Sequence, residues 1–288
     1  MRDRPLITNP LLGRWIVLAG AALWIVSLSI VLTLSPSGTP VSSDAGAQPV
    51  AYWVILLPTA VGIGLTLLLP RPSLPRPAVV RERRPFLITT IALLVLALAF
   101  PFLAFVVPLL GEFYVLGKLV ILMIVPSMLV LIWRRSVRIQ WNKNSSRWWA
   151  PAIVVLVWTV LSQVAPWNPP FDITGMDRGY VVVGALATAV TAGIGEELFY
   201  RKWIQTRLEA AFGPWPAIVI TSLLFALMHA GSHGTGDAVL DVARFIVLQG
   251  SFGLFLGVMW WRYRNLTAII AIHVIVNGWA VAAALLST

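Results

Sequence analysis

The sequence has no cysteine and few charged residues, which make up 11% of its 288 residues. Without cysteine there is no disulfide framework, no thiolate nucleophile and no sulfur ligand for zinc. Soluble domains average about 25% charged residues, whereas this chain combines its low charge with 59% hydrophobic residues and a mean hydropathy of +0.87. A water-soluble globule of this size cannot bury that much apolar surface. The composition therefore argues against a soluble enzyme, a nucleic-acid-binding domain or a secreted disulfide scaffold, and it indicates a multi-spanning membrane protein.

Nine stretches of the chain approach the length of a membrane span. A spanning helix needs about 20 mostly apolar residues, because roughly 30 Å of hydrocarbon is crossed at about 1.5 Å per residue. The stretches lie at residues 12–34, 50–69, 86–107, 113–133, 150–165, 180–198, 215–231, 243–261 and 266–286. Prolines in the third stretch and after the fifth leave eight true spans as the alternative. The sequence predicts an all-α polytopic membrane helix bundle of about eight to nine transmembrane helices.

Arginine and lysine are distributed unevenly between the segments that connect these stretches. With a cytoplasmic N-terminus, most cations fall on the inner side, including Arg201, Lys202 and Arg207 after the sixth stretch. The cations left for the outer side are Lys118, Arg178 and Arg244. This alternation follows the positive-inside rule and predicts nine crossings with an external C-terminus. The net charge of +10 is thus interpreted as a signal of topology in a cytoplasmic membrane, with the lipid bilayer rather than nucleic acid as the partner.

Ionisable side chains within the predicted spans are concentrated in the C-terminal part. Such a group near the bilayer centre costs about 2.5–3.5 kcal/mol on insertion scales, so each is a candidate for function. The first five stretches contain almost none apart from Lys118, whereas the last four contain several. We therefore expect residues 1–175 to be mainly structural helices and residues 176–288 to form a catalytic core.

The first polar cluster contains two adjacent glutamates. Glu197 and Arg201 are four residues apart, so they share a helix face and can pair, whereas Glu196 lies about 100° further round the helix and can face a cavity. Gly193 and Gly195 permit close approach of another helix just before the pair. Glu196 is then suited to general acid–base chemistry, and an interfacial salt bridge at a helix end is the alternative.

The second cluster pairs Phe225 with His229, one helical turn apart. His229 is either a catalytic imidazole or a hydrogen-bond donor to a neighbouring carbonyl. His233 lies four residues further on, but the glycines around it predict a loop, so evidence for a zinc pair is weak. On these span boundaries Glu196 falls near the inner end of its helix and His229 toward the outer end of the next. An interfacial turn at residues 215–218 would bring them to a common depth.

The third cluster, His273 and Asn277, shares one face of the last predicted span. Two side chains that donate hydrogen bonds from one helix face can stabilise a developing oxyanion. The alternative is a hydrogen-bonded clasp between two helices.

Together the three clusters resemble the CPBP family of intramembrane proteases, which includes the CAAX prenyl protease type 2 and bacterial abortive-infection and lysostaphin-resistance proteins. The matching motifs are Glu-Glu-x-x-x-Arg at Glu196, Glu197 and Arg201, Phe-x-x-x-His at Phe225 and His229, and His-x-x-x-Asn at His273 and Asn277. Their order and approximate separation agree with the family. The resemblance covers about residues 180–286, and the three motifs in order are more specific than any one of them.

The resemblance implies hydrolysis of a peptide bond in a membrane-associated substrate. Glu196, assisted by His229, would activate a water molecule, and His273 with Asn277 would stabilise the oxyanion. In the same scheme Glu197 and Arg201 would hold the catalytic side chains in position.

The resemblance does not decide whether the protease works without a cofactor or uses a zinc ion. A zinc ion would take Glu196, His229 and His273 as ligands and keep one position for water. We favour the metal-independent form, because Asn277 suits an oxyanion donor better than a zinc ligand. The alternatives to a protease are a non-catalytic membrane scaffold or immunity protein with the same fold and, with less support, a proton-coupled transporter.

Overall fold

The structure is a computed structural model that describes residues 10–40, 49–71, 79–106, 112–133, 137–138, 148–168, 173–230 and 237–287. Within these ranges the chain forms nine helical segments, one for each apolar stretch predicted from the sequence. They are α1 (Pro10–Leu34), α2 (Tyr52–Leu68), α3 (Arg83–Val106), α4 (Phe113–Ile132), α5 (Trp149–Val164), α6 (Arg178–Phe212), α7 (Pro214–Met228), α8 (Ala238–Tyr263) and α9 (Leu266–Ser287). The predicted all-α polytopic bundle is confirmed.

Six of the described helices are long and apolar enough to cross a membrane, namely α1, α3, α4, α6, α8 and α9. The helices α2, α5 and α7 are apolar but shorter. A single pair of two-residue strands, β1 (Val79–Val80) and β2 (Val137–Arg138), runs antiparallel between two connecting segments of the described chain. The predicted loop residue His233 lies outside the described residues.

Helix α6 is much longer than the sequence indicated. The predicted stretch ends at residue 198, but the helix continues to Phe212. Arg201 and Arg207, which were counted with the cations of an inner connecting segment, are therefore buried within a helix, with 1% and 4% of their surface exposed. Arg207 donates to the backbone oxygen of Trp203 at 3.1 Å. The physical reason is that partners inside the bundle satisfy these cations, so they do not require water.

A tight turn joins α6 to α7. Gly213 has a φ of +88°, a conformation that suits glycine, and Pro214 follows at the first helical position, where its missing N–H costs nothing. The predicted turn at residues 215–218 was wrong, because those residues already belong to α7. Glu196 precedes Gly213 by 17 residues and His229 follows it by 16. The two residues therefore lie at similar depth in a helical hairpin.

Helix α6 lies at the centre of the helices that carry the polar clusters. It contacts α4, α7 and α9. The buried apolar cluster around it joins side chains of α3, α4, α6 and α7, including Phe100, Leu122, Phe199, Ile204 and Phe225. Within a bilayer such side chains are held together by van der Waals packing, because lipid tails are as apolar as the side chains. This packing fixes the backbone that presents the two glutamates.

A second set of polar contacts holds the C-terminal end of α6. Gln205 donates to the backbone oxygen of Gly257 in α8 at 2.9 Å, and Trp260 donates to the hydroxyl of Thr206 at 3.1 Å. Arg264, just after α8, forms an ion pair with Glu209. These contacts fix the C-terminal end of α6 against α8, two to three turns after the two glutamates along the helix.

Candidate functional site

The ion pair predicted from the spacing of Glu197 and Arg201 is present. Nε of Arg201 lies 3.4 Å from Oε2 of Glu197, and the two residues are 1% and 0% exposed. Arg201 also donates from Nη2 to the backbone oxygen of Gly253 at 3.4 Å. The guanidinium carbon lies 4.4 Å from the centre of the Phe225 ring, within the range of a cation–π contact. Arg201 thus connects α6 to α7 and α8 through one side chain.

Glu196 makes a contact that the sequence analysis missed. Nζ of Lys118, on α4, lies 2.6 Å from Oε1 of Glu196. Lys118 is 8% exposed and Glu196 is fully buried, so the lysine lies inside the helix bundle and not in a connecting segment. The sequence did contain a hint of this contact, because Lys118 was the main ionisable side chain noted in the first five predicted spans. The other oxygen of Glu196, Oε2, is buried and has no hydrogen-bond partner among the described residues.

His273 lies between the two glutamates. Its Nδ1 is 2.7 Å from Oε1 of Glu197, and because a carboxylate only accepts, Nδ1 is the donor. Its Nε2 is 3.8 Å from Oε2 of Glu196, which is longer than a hydrogen bond. Two adjacent carboxylates on α6 therefore face one imidazole on α9, and two cations, Lys118 and Arg201, balance their charge.

Phe225 and His229 complete the group from α7. His229 follows the last residue of the helix and is half-buried, and its Nδ1 donates to the backbone oxygen of Phe225 at 2.9 Å. The Phe225 ring centre lies 5.0 Å from that of His229, 5.9 Å from that of His273 and 5.6 Å from that of Tyr200. His229 is also close enough to Glu196 to interact with its charge. Phe225 therefore packs against both imidazoles, one from α7 and one from α9.

Asn277 is placed differently from the other predicted residues. Its side chain is exposed and donates to the backbone oxygen of His273 at 3.0 Å, on its own helix. The amide thus lies one turn along α9 from the imidazole, at the exposed side of the group. Its oxyanion role stays a prediction.

The part of α6 that carries the glutamates is wound more widely than an α-helix. Residues Ala189–Gln205 form a π-helix, in which each N–H bonds to the carbonyl five residues earlier. Short π-helical segments are frequent at functional sites. The sequence analysis assumed α-helical geometry, yet the Glu197–Arg201 contact survives the wider winding.

The two predicted close-approach glycines sit where neighbouring helices meet α6. A Cβ atom on Gly193 would lie 2.5 Å from Cγ2 of Val274, the residue after His273 on α9. A Cβ atom on Gly195 would lie 2.8 Å from Cγ and Sδ of Met123 on α4. The prediction of close helix contact at both glycines is confirmed. Gly193 lets the His273 helix approach, and Gly195 lets the Lys118 helix approach.

These distances predict unequal effects of alanine at the two glycines. Gly193→Ala should lower the free energy of unfolding by about 1–3 kcal/mol, because the stiff side chain of Val274 cannot move aside. Gly195→Ala should cost less, because Met123 is flexible. Unfolding of the purified protein in detergent measures both. Gly184→Ala, on the same helix, is the control, because a Cβ atom on Gly184 would meet no other atom within 4 Å. Equal stability of the Gly193 and Gly184 variants would contradict the close approach.

One of the predicted zinc ligands, Glu196, is paired with an ammonium ion in this arrangement. Among the described residues, no group of three or more His, Asp and Glu side chains is arranged to hold a metal ion. Oε1 of Glu196 faces the ammonium of Lys118, and Nδ1 of His273 is bound to Glu197. An ammonium ion beside the carboxylate would repel a dication. Of the three predicted ligands, Glu196 is thus the one whose partner disfavours a metal ion, whereas the bond from Nδ1 of His273 to Glu197 is also typical of zinc-bound histidines.

Comparison with known proteins gives one match. Residues 178–279 match the model of a family described as type II CAAX prenyl endopeptidase Rce1-like. No curated protein and no solved structure matches the chain. The matched region runs from the start of α6 into α9 and contains each site residue described above except Lys118.

Proposed function

We propose that this multi-pass membrane protein is an intramembrane endopeptidase, because residues 178–279 match the family model described as type II CAAX prenyl endopeptidase Rce1-like. Its substrates are membrane-associated peptides or proteins, and it acts in the cytoplasmic membrane of a bacterium with its N-terminus inside. The observation that carries the proposal is the buried group formed by Glu196, Glu197 and His273 on two helices that are distant in sequence. Intramembrane ionisable groups are costly, so such a group indicates function.

In this proposal Glu196 is the general base. Its Oε2 takes a proton from a water molecule while the water oxygen attacks the carbonyl carbon of the scissile peptide bond. The proton then passes to the amide nitrogen as the carbon–nitrogen bond breaks, which leaves a carboxyl group and an amine and returns Glu196 to its starting form. Oε2 suits this role because it is buried and has no hydrogen bond among the described residues. His229 assists from the end of α7.

The remaining residues stabilise and position the reacting group. His273 and Asn277 would donate to the oxyanion of the tetrahedral intermediate. For His273 this requires a second ring proton on Nε2, because Nδ1 already donates to Glu197. Glu197 and Arg201 hold His273 and α7 in place. Residues 176–288 thus supply the chemistry, and the first 175 residues act mainly as supporting helices.

The proteolytic function is tested by comparing membrane peptides from cells that carry either the intact chain or the Glu196→Gln variant. Peptides that end at internal cut sites should appear only with the intact chain, and their sequences would identify the substrates. Identical peptide profiles from the two strains would contradict an endopeptidase.

The arrangement also supports a mechanism without zinc. Exhaustive chelation of the purified enzyme should leave its cleavage rate within about twofold of the untreated rate, because the Lys118 ammonium already neutralises Glu196, the one carboxylate among the three predicted ligands. The control is a mock treatment followed by the same dialysis. Loss of activity on chelation, with recovery when zinc is added back, would overturn this version.

A further inference from the structure

Lys118 contacts the site from outside the family-matched region. It lies on α4, within the part of the chain expected to be structural, and its ammonium reaches Glu196 on α6 at 2.6 Å. The two residues are 78 positions apart in the sequence. Neither the three sequence motifs nor the matched region of residues 178–279 includes it.

Stability alone gives little reason for a lysine at this position. Removing two charges from water costs several kcal/mol per ion, and replacing a buried ion pair by apolar residues is often neutral or stabilising. A methionine at position 118 would fill similar volume without this cost. The lysine is therefore better explained by what its ammonium does to the carboxylate it contacts.

Two neighbouring features hold the Lys118 ammonium at the glutamate. Tyr114 lies one turn earlier on α4, and its ring centre is 5.0 Å from Nζ, in the range of a cation–π contact. Gly195, next to Glu196, leaves room for Met123, so that α4 packs directly on α6. The lysine thus approaches Glu196 along a fixed direction and contacts only Oε1 of the carboxylate.

We propose that Lys118 is a positioning residue for Glu196. By holding Oε1, the ammonium fixes the rotation of the carboxylate and directs Oε2 toward His273 and the reacting water. This inference rests on the proposed protease function and adds a residue to it from the N-terminal half. It also explains why Oε2 is buried without a hydrogen bond, since a second donor there would block the water.

The experiment measures kcat and KM for a membrane-tethered reporter with purified variants in lipid vesicles. Lys118→Met should lower kcat by about ten- to a hundredfold, because small misplacements of a reacting group have effects of this size, and should leave KM within about twofold. Lys118→Arg, which keeps a charged donor for Oε1, should recover kcat to within about threefold of the intact protein. Lys202→Met is the matched control, because Lys202 is a half-buried lysine six residues after Glu196, and it should leave both constants unchanged.

The outcomes separate this inference from the function on which it rests. If Lys118→Met keeps normal kcat while Glu196→Gln is inactive, the positioning role is overturned and the protease assignment stands. If KM rises and kcat is unchanged, Lys118 binds substrate instead, and the inference also fails. Should Lys118→Met fail to fold, Lys118→Gln, which keeps a neutral donor, replaces it and should retain more activity than Lys118→Ala. Equal kcat for those two variants would overturn the inference, and activity in Glu196→Gln would overturn the protease function itself.

Discussion

The Glu196→Gln variant is expected to cleave a membrane-tethered reporter at least about 10²–10⁴ times more slowly than the intact protein, the range assigned to a general base. Glutamine keeps the shape of the side chain and can still face Lys118, but its amide cannot accept the proton from water. His229→Ala should also lose cleavage, since the proposed mechanism has His229 assist Glu196 from α7. Initial rates of purified protein in lipid vesicles measure both effects.

Two controls separate lost chemistry from lost folding. Glu82→Gln makes the same change at an exposed carboxylate outside the site and should cleave normally. Glu196→Gln leaves the Lys118 ammonium without its charged partner, so Glu196→Gln combined with Lys118→Met should recover stability and remain inactive. A cleavage rate for Glu196→Gln within about twofold of that of Glu82→Gln would rule out Glu196 as the base.

The helices could be predicted from the sequence because lipid imposes a simple length requirement. Each apolar run of about 20 residues must satisfy its backbone internally, and a helix does so within one segment. Each of the nine predicted stretches therefore contains a helix in the described chain. The end of α6 was missed because the length requirement does not say whether a helix continues past its apolar run, and Arg201 and Arg207 were counted with the charges of a connecting segment.

The pairing of Glu197 with Arg201 could be predicted because it depends only on spacing within one helix. Lys118 and Glu196 could not be paired in this way, since they lie on separate helices and the sequence does not say which helices are neighbours. Asn277 shows the limit of spacing as an argument. Four residues after His273 it shares the helix face, but the same spacing brings its amide within reach of the His273 carbonyl.

A second large effect is expected at Arg201, on stability more than on chemistry. Arg201→Met should lower the free energy of unfolding by about 3–5 kcal/mol, the range for removing one partner of a buried ion pair. The change leaves Glu197 buried with His273 as its remaining partner, and it removes the contacts of the guanidinium with Gly253 and the Phe225 ring. Thermal or denaturant unfolding in detergent measures the loss, and cleavage should fall because Glu197, which accepts from His273, is no longer held by Arg201.

The cause is tested with a paired substitution. Glu197→Gln added to Arg201→Met should restore part of the lost stability, because it removes the uncompensated charge while the amide oxygen still accepts from Nδ1 of His273. Arg178→Met changes an exposed arginine at the start of the same helix and should unfold like the intact protein. If the double variant is no more stable than Arg201→Met, the packing of the guanidinium on Phe225, and not its pairing with Glu197, is what holds α6 against α7. The distinction matters for the candidate active site. Glu197 accepts from His273, so a loss of stability that arises from the Arg201–Glu197 pair would also disturb the position of His273, whereas a loss that arises from packing on Phe225 would not.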